Sequence, residues 1–126
     1  MTTSPHTIGL DQPLVHAHAI MSKYAIRHLP VLNGGKLVGV LTDRDLHLVE
    51  TLKDVNPNEV TVEDAMSGNP YTVAPDAPLD EVAAAMAEHK YGSAVVMDNQ
   101  HVVGVLTTVD IARALSEILR ARFHSP

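Results

Sequence analysis

The sequence predicts a mixed α/β (α+β) fold. One strand-helix-strand-strand-helix unit with a small sheet is written twice, and the copies pack as a pseudo-two-fold pair. Three observations lead there. The chain repeats itself at an offset of 65 residues: Gly39-Val40-Leu41-Thr42 returns as Gly104-Val105-Leu106-Thr107, and Met1–Leu46 set against Met66–Ile111 without a gap gives 15 identities in 46 positions. Each copy carries an apolar stripe at helical spacing. Each also carries two short apolar runs parted by turn-forming residues.

The elements follow in order. A short extended piece opens each copy, Thr7-Ile8 in the first and Tyr71–Val73 in the second. Asp76 then stands as a helix cap with Pro78 in the first turn, where a missing amide proton costs little, and Asp11 and Pro13 match them in the first copy. Leu79, Val82, Ala83 and Met86 fall at i, i+3, i+4 and i+7, as do Leu14, Ala17, His18 and Met21. Leu29–Leu32 and Lys36–Leu41 flank Asn33-Gly34-Gly35, a hairpin signal. The second copy has Ala94–Met97, Asp98-Asn99-Gln100 and His101–Leu106 in the same places. A second helix follows, long and amphipathic in copy two through Ile111, Leu115, Ile118 and Arg122. The units are expected at residues 1–55 and 66–126, joined by a polar linker at 56–65. In that linker Thr61-Val62-Glu63-Asp64 has the capping-box pattern of a short helix. Because Met1 aligns with Met66, the chain is expected to be a complete module.

Composition narrows the function. The 126 residues, 13.6 kDa, are the size of one ordinary domain, and 45% hydrophobic with 19% charged residues is a globular balance. The absence of cysteine excludes a disulfide framework, a thiolate metal site and a catalytic thiol. A formal charge of -6 argues against general affinity for nucleic acid or anionic membranes, and one Phe with three Tyr makes no stacking platform for single strands. No run approaches the length of a membrane span, and Met1–Leu10 has neither Lys, Arg nor an apolar run to make a signal peptide. The cytoplasm is the expected compartment. There is no Gly-x-Ser-x-Gly elbow, no P-loop and no carboxylate pair beside a base, so no catalysis is expected. The eight histidines are scattered. His16 and His18 sit two apart on a helix and point in different directions, so no metal site is expected.

The string Gly39-Val40-Leu41-Thr42-Asp43-Arg44-Asp45 supports two readings. Structurally, Thr-x-x-Asp opening a helix is a capping box, and this accounts for Thr42 with Asp45 and for Thr107 with Asp110. Functionally, a glycine such as Gly39 or Gly104 lets a ligand approach the backbone. A helix N-terminus offers amide donors to phosphate, and a carboxylate in the first turn can accept two hydrogen bonds from a ribose diol.

At this point the whole chain resembles the tandem CBS domain family, also called the Bateman module. The resemblance rests on GVLTDRD and GVLTTVD as the Gly-h-h-Thr-x-x-Asp signature, on Ile26-Arg27-His28-Leu29-Pro30-Val31, and on Asp64-Ala65-Met66 followed by Tyr71-Thr72-Val73. It implies a regulatory module that binds AMP, ADP, ATP or S-adenosylmethionine between its repeats, needs no cofactor and signals to a separate effector protein. The resemblance also implies that Asp45 and Asp110 hold ribose hydroxyls while Thr42 and Thr107 face ribose or phosphate. Thr7-Ile8 and Thr72-Val73 would edge the adenine, with His28-Leu29 and Ser93-Ala94 presenting backbone to the base. A homodimer is implied as well. Arg27, His28 and Arg44 are three phosphate-binding candidates in copy one, where copy two has Gly92, Ser93 and Val109. The Asp45 site is therefore expected to hold the better-anchored nucleotide, although Arg27 could serve either site. The alternatives are a structural dimer with vestigial clefts, an S-adenosylmethionine sensor, or a metal-responsive sensor using the histidines.

Overall fold

The computed structural model describes residues 2–3 and 5–123. The elements run β1 (Thr2–Thr3), β2 (Ile8–Gly9), α1 (Leu14–Tyr24), β3 (His28–Asn33), β4 (Lys36–Thr42), α2 (Asp43–Glu50) and α3 (Val62–Ala65). Then come β5 (Ser67–Gly68), β6 (Thr72–Val73), α4 (Leu79–His89), β7 (Ser93–Asp98), β8 (His101–Thr107) and α5 (Thr108–Phe123). No helix among the described residues is long and apolar enough to cross a membrane.

Each sheet is built on a hairpin. β3 and β4 pair antiparallel around Gly34 and Gly35, whose φ angles of 58° and 84° give the turn a right-twisted hairpin favours. β7 and β8 pair around Asn99 and Gln100, at 50° and 66°. Both hairpins carry a register shift at matching places, between Val31 and Leu32 and between Val96 and Met97. β2 and β6 join β3 and β7 in parallel.

Two strands escape a reading by period because each has only two residues. β5, at the start of the second repeat, pairs with β4 of the first. β1 pairs with β8 of the second in the equivalent register, Thr2 opposite Val105 and Ser67 opposite Val40. The sheets are thus ordered β2-β3-β4-β5 and β1-β8-β7-β6, each repeat lending its first residues to the other's sheet.

Helix ends differ in part from expectation. Pro13 and Pro78 occupy the N-cap positions of α1 and α4 with no side-chain cap bond, so Asp76 is not the cap. Both helices close through a left-handed residue that is not glycine, Ala25 at φ 52° and Lys90 at 59°. The linker does contain its short helix: Thr61 donates to the Asp64 carboxylate at the start of α3, and Val62 is fully buried. Nine buried residues form the first core, among them Ile8, Leu14, Leu41, Leu46 and Val62. The second core has only three, Val82, Met86 and Ala94. Nothing in α5 is buried.

Candidate functional site

The end of each third strand runs straight into a helix. At that junction the Thr42 backbone N–H donates to Asp45 Oδ2 at 2.9 Å, and the Asp45 N–H donates to Thr42 Oγ1 at 3.2 Å. Thr107 and Asp110 repeat this at 2.9 and 3.3 Å. The capping reading of both signatures therefore holds in full. Each box uses Oδ2. The second carboxylate oxygen is left to other partners, and on Asp110 it lies 3.9 Å from Arg113 Nη1.

Two clefts are related by the 65-residue offset. The first, about 320 Å³, is lined by Pro5, His6, the Ala25–His28 stretch, Val105, Thr107, Val109 and Asp110. The second, about 290 Å³, is lined by Val40, Thr42, Pro70, Tyr71 and Tyr91–Ser93, together with Ser67–Asn69 and His28. Each cleft joins the residues ahead of one repeat's hairpin to the third strand of the other repeat. The sheets meet through β4 and β8, which places these ends face to face.

This grouping differs from the sequence pairing. Arg27 and His28 stand with Thr107 and Asp110, not with Asp45, although His28 also pairs with Thr42 across the hairpin and shares the second cleft with it. Arg27 precedes β3 and His28 opens it, and that end of the hairpin opens toward the opposite repeat. Arg27 reaches out into solvent, its Nε 4.0 Å from Asp43 Oδ2. His28 borders both clefts and sits close to Gly92, where an added Cβ would lie 3.3 Å from its Nε2. Burial lowers the His28 pKa from 6.5; Asp43, Asp110 and Asp45 pull it up, and Arg27 pushes it down.

The remaining sequence candidates are dispersed. Ser93 lines the second cleft, but Asp45 and Arg44 do not. Thr7 and Ile8 border a depression beside the Gly34-Gly35 turn, and Val73 lines a groove between α4 and α5. Thr72 is exposed and lines neither cleft. Leu29 and Ala94 are fully buried core residues. Gly39 faces β5, since an added Cβ would lie 2.6 Å from the Ser67 carbonyl oxygen and 2.7 Å from Met66 Sδ. Gly104 pairs with Thr3.

Sequence reasoning missed the aromatic walls. Tyr71 and Tyr91 stack at 4.8 Å between ring centroids beside the second cleft, and His89 lies against Tyr91 at 5.2 Å. His6, which lines the first cleft, stacks on Tyr24 behind it at 3.7 Å between ring centroids, and Tyr24 itself does not line the cleft. The one available signal was positional: His6 and Tyr71 are partners at the offset of 65, as are Ile26 and Tyr91.

The comparisons agree with this architecture. The family model for the CBS domain matches residues 1–49 and 62–117. L-aspartate semialdehyde sulfurtransferase of Methanocaldococcus jannaschii is 35% identical over 115 residues, covering 90% of this chain but only 22% of that protein. The chain thus spans about a fifth of that enzyme. The CBS domain-containing protein YhcV of Bacillus subtilis is 29% identical over 89% of this chain and 79% of its own length. Among solved structures, the CBS domain pair of protein MJ0100 in complex with 5′-methylthioadenosine and S-adenosyl-L-methionine superposes with a TM-score of 0.79. It is 32% identical, over 90% of this chain and 93% of that one. This chain belongs to the CBS domain family, as a tandem pair.

Proposed function

We propose that the pair is a regulatory sensor of an adenine-containing ligand, with no catalytic step of its own. It binds in the cytoplasm, as a homodimer, and passes its state to a separate effector protein. The observation that carries the reading is the first cleft, where Thr107, Asp110, Arg27 and His28 converge. A carboxylate with one oxygen outside its capping box suits a ribose diol. A guanidinium and an imidazole at the same mouth suit phosphate. The second cleft has Tyr71 and Tyr91 for a base to lie on but no arginine, which suits an adenosine-like ligand with little or no phosphate. The liganded CBS domain pair of protein MJ0100 holds two different adenosyl compounds and supports the choice of adenine. The basic cleft favours AMP, ADP or ATP there over the sulfonium compound.

Thermal unfolding with AMP, ADP, ATP, S-adenosylmethionine and GTP tests this. A ligand at a hundred times its dissociation constant adds about 2.7 kcal/mol, which appears as a rise of several degrees. Adenine ligands are expected to shift the wild type while GTP does not. Asp110→Ala should weaken the nucleotide by roughly 10- to 150-fold, the worth of a charge-assisted hydrogen bond, beyond the loss of stability shared with any broken cap. Asp45→Ala is expected to lose the cap and to change nucleotide affinity less. No shift with any ligand, in protein shown to be nucleotide-free, would leave an interaction dimer with vestigial clefts.

A further inference from the structure

Among the described residues His28 is the one that lines both clefts, and the repeat shows why this is unusual. Its counterpart 65 residues on is Ser93, which opens β7 as His28 opens β3. Ser93 pairs with Thr107 across its hairpin, as His28 pairs with Thr42. Yet Ser93 lines only the second cleft. The backbones match, so the difference lies in reach: a serine hydroxyl stops short of the opposite cleft and an imidazole does not. Gly92 makes room for that reach. A Cβ there would lie 3.3 Å from His28 Nε2, tighter than ordinary van der Waals contact. The matching residue in the first repeat is Arg27, which of the two clefts lines only the first. The first cleft therefore has a guanidinium and an imidazole. The second has the same imidazole and, among the described residues, no Arg or Lys.

Counting hydrogen bonds gives the consequence. Burial lowers the His28 pKa below 6.5, so at about pH 7.5 the ring is neutral. A neutral imidazole has one N–H and one acceptor nitrogen, while phosphate oxygens at that pH accept. One N–H serves one phosphate. We propose that His28 couples the two clefts, so that a phosphate held in the first takes its N–H and leaves the second selecting a ligand without phosphate. This rests on the reading of both clefts as adenine-ligand sites. With the first cleft empty the second accepts AMP, and with it full the second takes adenosine instead. By linkage the effect is reciprocal.

Titration with AMP and with adenosine at about pH 7.5 tests this by nuclear magnetic resonance, because the Val109 and Gly92 amides report the two clefts separately. Asp110→Ala supplies the empty first cleft, with the Val109 signal showing that it stays unfilled. AMP should bind the second cleft at least about fivefold more tightly in Asp110→Ala than in wild type whose first cleft is saturated. Adenosine should bind it equally in both. His28→Ser, which copies the second repeat, should erase the difference for AMP. Gly92→Ala keeps the imidazole but fills the space beside Nε2 with a methyl group, and should erase it too. Equal AMP affinities at the second cleft of wild type and Asp110→Ala overturn the proposal. So does a difference that survives in folded His28→Ser or Gly92→Ala. AMP that enters the first cleft but never the second overturns it while leaving the sensor reading in place. AMP that enters neither cleft defeats the sensor reading itself, and the coupling with it.

Discussion

At the scale of single residues, His28 is the most informative side chain, because it borders both clefts and three carboxylates and a guanidinium act on it. Burial outweighs the neighbouring aspartates and lowers its pKa below 6.5. The unfolded chain therefore binds more protons than the folded one between the folded value and 6.5, and stability rises with pH through that window. Acidification from pH 7 should cost stability as the solution passes below 6.5, and the loss should level off once folded His28 is itself protonated. His28→Gln should flatten that part of a stability curve measured by urea unfolding at a series of pH values. An unchanged slope would mean that another group titrates there. A phosphate in the first cleft acts in the opposite sense by favouring imidazolium. Binding of AMP below pH 6.5 should then take up a proton, read as a binding enthalpy that varies with the ionisation enthalpy of the buffer. The sequence alone allotted His28 and Arg27 to the Asp45 site because they share a repeat with it. Which repeat's carboxylate they face depends on how the two sheets meet, and no local pattern in the residues encodes that.

At the scale of elements, what the sequence shows well is what forms within a few residues. The hairpins follow from apolar runs around Asn33-Gly34-Gly35 and Asp98-Asn99-Gln100, α3 from its capping box, and the helix faces from stripes such as Leu79, Val82 and Met86. What stayed hidden forms between repeats. β1 and β5 are two residues each, with no period to read, and their pairing with the far sheet is decided by packing. Gly39 shows the consequence. Its place in the signature invited a ligand reading, yet the atoms crowding it are the Ser67 carbonyl and Met66 of the crossing strand. Gly39→Ala puts a Cβ 2.6 Å from that carbonyl oxygen, and because the obstacle is backbone, β5 must move off β4. The expected loss is about 1–3 kcal/mol, the usual range for overpacking, and a fall in unfolding temperature of about 4 °C or more. Nucleotide affinity of the folded fraction should be unchanged. A mutant of normal stability that fails to bind would restore the ligand reading of this glycine.

At the scale of the whole molecule, the question is what covers α5. α5 packs only its first turns on the second core, through the half-buried Ile111, and beyond them Leu115, Ile118, Leu119 and Phe123 fall at i, i+3, i+4 and i+8, on one exposed face. Ile118 is 61% and Phe123 69% exposed. An apolar face of that length on a small chain is the mark of an association surface, and a homodimer satisfies it most simply by laying the same face of two copies together. Sedimentation at micromolar concentration should give twice the 13.6 kDa of one chain. Ile118→Glu places a charge in the middle of the stripe and should return the protein to 13.6 kDa. Because Ile118 is solvent-exposed in the single chain and lies on α5 about two turns beyond Asp110, outside the lining of either cleft, that variant should keep its fold and its response to adenine ligands. A wild type that sediments as one chain across the accessible concentration range would leave the stripe for the effector instead. Loss of the ligand response together with the dimer would mean that the clefts need the second copy to hold their shape.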